Sequence, residues 1–253
     1  MGGIERPEGE SLRLSVSVRR VAWILVTIII VLSAASFIGQ VASDFVLTGN
    51  KYVDRIAEWM DVNHEGSVPT WYATITLMSC AVMLGVIAVD ARRRGRPYPL
   101  HWAALAVIFA LLSLEEILGV HSEATQRLRS VMSITAGPGY ALALTGIALL
   151  ALAIVVVVFG RFYLHLPSRW RVWFTIGSLI YVTGVFASDA VGDYLITASG
   201  EPTLPYVIVL TIEEALEMTG VLIFIVMLLE YIRTFVGRVS VDIGEVSSLA
   251  DRT

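Results

Sequence analysis

The chain has 253 residues, 56% of them hydrophobic and 16% charged, with a formal net charge of −4 and a mean hydropathy of +0.75. Such apolarity excludes an ordinary soluble domain and predicts an all-α integral membrane protein, with no basic domain to engage nucleic acid. The lone cysteine, Cys80, falls in an apolar run, so an intrachain disulfide and a CxxC metal site are excluded and a packing role is expected.

Residues 1–18 are polar and read as a tail. Six apolar runs follow, at about 21–43, 69–90, 101–121, 137–160, 171–195 and 206–232, each near the ~20 residues needed to cross a bilayer as a helix. The first is longer than the ~7–15 residues of a cleavable signal core and is expected to be retained. The fold expected is therefore a six-helix transmembrane bundle over residues 19–233, closed by a second tail at 234–253.

Between the first two runs, KYVDRIAEWMD places Tyr52, Val53, Ile56, Trp59 and Met60 at helical spacing. That pattern predicts a short amphipathic helix at about 51–61, lying on the membrane surface as a rim or lid. In the following VNHEGSVPTWY, Pro69 suits a helix start and Trp71 and Tyr72 an interfacial aromatic belt.

Arginine placement sets the expected orientation. Arg6, Arg13, Arg19, Arg20, Arg92, Arg93, Arg94, Arg96, Arg161, Arg169, Arg171, Arg233, Arg238 and Arg252 fall on one side, 14 of 18 basic residues. The positive-inside rule makes that side cytoplasmic, with both termini on it.

Seven acids interrupt the later runs: Glu115, Glu116, Asp189, Asp193, Glu213, Glu214 and Glu217. An acid at the centre of a spanning helix costs about 2.5–3.5 kcal/mol on insertion scales, so seven of them require compensation. Counted from the ends of their runs, Glu116, Asp189 and Glu213 lie roughly 7–11 Å inside the boundary opposite the arginines, at 1.5 Å per residue. LSLEEIL at 112–118 and LTIEEAL at 210–216 echo one another and read as two half-sites facing each other. Ser113 and Gly119 flank Glu116 on its own helix face, which favours Glu116 over Glu115 as a ligand.

No lysine or arginine lies in the hydrocarbon part of these runs, leaving protons, a cation or loop arginines as compensators. Carboxylates with an imidazole nearby suit Zn, Mn or Fe. A divalent metal site is expected from Glu116, His121, Asp189, Asp193, Glu213 and Glu217, with His64 and Glu65 from the outer loop. Glu115 and Glu214 are the candidate catalytic acids or bases, activating a metal-bound water against a lipid-like substrate. A proton or cation relay through the same carboxylates, and a non-catalytic subunit that binds a partner helix, remain open. The Glu-x-x-His and His-Glu-x-x-His motifs are absent, no GxSxG accompanies the serines, and Lys51, the sole lysine, lies outside the runs.

Pro69-Thr70-Trp71, Ser113 to Glu116 with His121, and Glu213 to Met218 resemble motifs of a group of bacterial six-span membrane proteins. The resemblance implies a plasma-membrane location and a shared site without naming a reaction. A looser likeness is to intramembrane zinc hydrolases of the ceramidase and adiponectin-receptor type, which have seven spans and more histidines.

Overall fold

The structure is a computed structural model that describes residues 17–62, 64, 66–119, 138–199 and 203–236. Every regular element among the described residues is helical: α1 (Val18–Val41, continued by a π-helical turn Ala42–Val46), α2 (Lys51–Met60), α3 (Val68–Arg93), α4 (Pro99–Leu118), α5 (Pro138–His165), α6 (Ser168–Ser199) and α7 (Leu204–Tyr231, continued by a π-helical turn Ile232–Val236).

Local chemistry sets several ends. The Asn50 side chain accepts the Tyr52 N–H at 3.1 Å and starts α2. Ser67 accepts the Thr70 N–H at 3.3 Å, and Pro69 occupies the first turn of α3, where its missing N–H leaves no intrahelical bond unmade. Gly119 ends α4 with φ of 53°, a left-handed position that glycine adopts without steric cost.

Among the described residues four helices are long and apolar enough to cross a membrane: Val18–Val46, Val68–Arg93, Pro99–Leu118 and Leu204–Val236. The expected six-helix transmembrane bundle is corrected accordingly. The other two runs also form helices, α5 and α6, and among the described residues of α5 the apolar helix Ala153–His165 is shorter than the ~20 residues a crossing needs. In α6 the apolar residues are interrupted by Ser178, Thr183, Gly184, Ser188, Asp189, Gly192 and Asp193.

Helix α7 is the hub. Against α1 it packs Met218 and Leu222 on Ile29 and Leu32, joined by Val62. The α3–α4 hairpin adds Leu77, Cys80, Leu84 and Ile87 with Leu105 and Phe109, and Phe109 meets Phe224 edge-on at 5.2 Å. Lipid tails are as apolar as these side chains, so close packing and small residues hold such helices together. Gly177 and Gly184 of α6 lie against Phe224 and Glu217, in that order, so α6 runs antiparallel to α7 with little between the two backbones.

The arginine-rich end is pinned by the α3–α4 connection. Asp90 pairs with Arg94 at 2.7 Å and Arg96 at 3.4 Å. Those arginines donate to the carbonyls of Val236 (3.0 Å) and Phe235 (2.7 Å), satisfying acceptors in the π-helical turn that continues α7.

Candidate functional site

At the opposite end a polar network joins α1 to the segment after α2. Ser36 and Gln40 are four residues apart on one face of α1, and both are buried. The Gln40 amide donates to Asp61 Oδ1 at 2.8 Å and to Ser36 Oγ at 3.1 Å, and Ser36 Oγ accepts the Val62 N–H at 3.1 Å. Three polar groups inside the bundle thereby satisfy one another, which their burial requires.

Glu214 on α7 stands beside this network. The carboxylates of Glu217, Glu116, Glu213 and Asp61 all lie within electrostatic reach of it. Tyr181 on α6 lies within electrostatic reach of Glu217, Glu116, Glu115 and Glu214. Glu213 is 6% exposed, whereas Glu115, Glu116, Glu214 and Glu217 are half-buried.

Backbone contacts fix these positions. A β-carbon at Gly220 would lie 2.7 Å from Tyr181 Cβ and 2.8 Å from its backbone nitrogen, so only glycine lets Tyr181 approach α7 here. On α4, Ser113 is 1% exposed and its hydroxyl donates to the Thr74 carbonyl of α3 at 3.0 Å, which orients the turn that carries Glu116.

Of the residues expected from sequence, Glu116, Glu213 and Glu217 each lie within electrostatic reach of Glu214, and Glu115 within reach of Glu116 and Tyr181. His64 is half-exposed, with Nε2 at 3.3 Å from Glu58 Oε1. Glu65 and His121, and the side chains of Asp189 and Asp193, lie outside the described residues. Among the described residues no three His, Cys, Asp or Glu side chains are arranged to hold a metal ion. Asp61, Ser36, Gln40 and Tyr181 were missed by the sequence reading. The i, i+4 polar pair Ser36 and Gln40 in an apolar run, and the Gly177-x-x-x-Tyr181-x-x-Gly184 spacing, were the signals that could have found three of them.

Among the described residues, four membrane-length helices, the short helix α2 and a polar interior define an all-α multipass membrane protein. The chain belongs to the family described as Domain of unknown function (DUF8692), which matches residues 20–231. No curated protein and no solved structure matches it. Membership in this family, with four membrane-length helices among the described residues, replaces the resemblance to a six-span group.

Proposed function

We propose that the protein handles protons within the membrane, with Glu116, Glu213, Glu214, Glu217 and Asp61 acting as one shared acidic site that exchanges protons with the side opposite the arginines. The observation that carries this reading is the environment of Glu214, which lies within electrostatic reach of four other carboxylates drawn from α4, α7 and the end of α2. Like charges held together away from water demand exchangeable positive charge, and a proton is the smallest carrier of it.

Asp61 sits at the C-terminal cap of surface helix α2 and is the entry point; Gln40 holds it in place. Glu214, Glu116 and Glu217 form the interior store, and the Tyr181 hydroxyl is positioned among them as a donor that can pass a proton on. The arginine-rich end faces the cytoplasm in this reading, as the positive-inside rule requires.

A bound divalent cation held by the same carboxylates is the second reading, since Glu217, Glu116 and Glu213 all act on Glu214. A lipid-directed hydrolytic site would build on that cation.

The test is proton flux into liposomes under a potassium diffusion potential, followed with a trapped pH dye. Wild-type protein should exceed empty liposomes, and Glu214→Gln should fall to the empty-liposome rate. Flux that Glu214→Gln leaves unchanged overturns the relay. No flux, with a stoichiometric metal retained through purification and lost in Glu116→Ala, replaces it by the cation reading.

A further inference from the structure

The arginine-rich end contains a cavity of about 220 Å³ between α3, α4, the end of α5 and the end of α7, lined by Arg96, Tyr98, Trp102, Phe162, His165 and Tyr231 among others. That volume is below the roughly 300–1,000 Å³ of pockets that enclose drug-sized molecules, so it suits a small polar group attached to something that stays outside.

Three features identify the group. Arg96 lines the cavity with a side chain 30% exposed; one Nη2 bond goes to the Phe235 carbonyl and Nη1 pairs with Asp90, leaving further donors of its five. Asp90 is committed to Arg94 and Arg96 together, while Arg92, Arg93, Arg161 and Arg169 are exposed around the same end, so the local field favours an anion. Tyr98 has φ of 62° and ψ of 38° immediately before Pro99, a left-handed backbone that a non-glycine residue holds only under constraint. That backbone presents its ring edge-on to His101 at 5.0 Å and tilted on His165 at 5.2 Å, forming one wall.

Location selects the source. The cavity lies where the helices end among arginines, tryptophans and tyrosines, the level of lipid headgroups. Leu100 and Leu164 beside it are 77% and 67% exposed, an apolar outer surface along which acyl chains can run.

The geometry points to a headgroup site for an anionic phospholipid, with the phosphate on Arg96 and the glycerol against Tyr98 and Trp102. This assignment stands apart from the carboxylates at the other end.

Native mass spectrometry of the full chain in neutral detergent tests it, with phosphatidylglycerol, phosphatidylcholine and inorganic phosphate as probes. Phosphatidylglycerol should be retained in preference to phosphatidylcholine. Arg96→Gln should weaken retention about tenfold, the effect of losing one charge-assisted contact. Ala91→Leu, which fills the cavity from a wall residue 3% exposed without altering a charge, should weaken it similarly. No preference between the two lipids in wild-type protein overturns the proposal whether or not the variants fold. Equal retention by folded variants overturns it as well, and displacement by millimolar inorganic phosphate reassigns the cavity to the soluble anion and overturns the lipid assignment.

Discussion

A β-carbon placed on Gly184 would stand 2.6 Å from Cγ of Glu217 and 3.1 Å from the Glu217 backbone nitrogen. The backbone of α6 therefore lies directly on the acidic face of α7, and any side chain at this point pushes the two apart. Close approach of α6 is what sets Tyr181 beside the glutamates.

Gly184→Ala and Gly220→Ala should each destabilise the protein by about 1–3 kcal/mol, the range for overpacking a close contact. Gly220 should suffer more, because its nearest obstacles are the main chain and Cβ of Tyr181, which cannot rotate away. Gly85 in α3 has nothing within 4 Å of the place a methyl group would take, so Gly85→Ala should be neutral or stabilising by up to about 1 kcal/mol. Thermal unfolding in detergent ranks the three.

Gln40→Leu should cost about 1–3 kcal/mol, because Asp61 loses a donor at 2.8 Å in a part-buried setting. Ser36→Ala removes the acceptor of the Val62 N–H and should act in the same direction. Limited proteolysis between α2 and α3 should accelerate in both variants, while cleavage at the arginine-rich α3–α4 connection should not change.

Ser113→Ala should lose only about 0.5–1.5 kcal/mol, the net worth of one hydrogen bond. Ser113→Leu should lose more, since the position is 1% exposed and has no room for a larger side chain. Amide hydrogen exchange on the last turn of α4, which carries Glu116, should rise in step with the loss.

Asp90→Asn should destabilise the protein more than Glu230→Gln. Asp90 is 12% exposed and holds two arginines that also bond carbonyls at the end of α7, whereas Glu230 reaches Arg233 only at 3.9 Å with that arginine 73% exposed. Exposed pairs contribute little, so the second change should fall within about 0.5 kcal/mol of wild type in the same unfolding assay.

Composition carried the class of protein, because hydropathy over some 20 residues is a direct physical requirement for crossing a bilayer. The runs drawn at 21–43, 69–90, 101–121 and 206–232 coincide with membrane-length helices to within a few residues. The count of six is corrected among the described residues, where the apolar helix within α5 is Ala153–His165 and α6 is interrupted by Ser188, Asp189, Gly192 and Asp193. The echo of LSLEEIL and LTIEEAL was informative: Glu116 of the first and Glu214 of the second are electrostatic neighbours. Asp61 was not legible, since an acid in a polar surface segment carries no periodic signal, and only the fold brings it to Gln40. The metal site expected from Glu116, His121, Asp189, Asp193, Glu213, Glu217, His64 and Glu65 drew on proximity in depth; His64 Nε2 lies 3.3 Å from Glu58 Oε1, while Glu65, His121 and the side chains of Asp189 and Asp193 lie outside the described residues.

The account rests on carboxylates of different helices behaving as one electrostatic unit, and a double-mutant cycle between Glu116→Gln and Glu214→Gln reads that coupling. Unfolding free energies of the two single variants and the double variant should depart from additivity by more than about 0.5 kcal/mol, as expected for residues that share a field or a proton. Effects that add within about 0.3 kcal/mol would mean that the two glutamates titrate and pack independently, and would contradict the shared site.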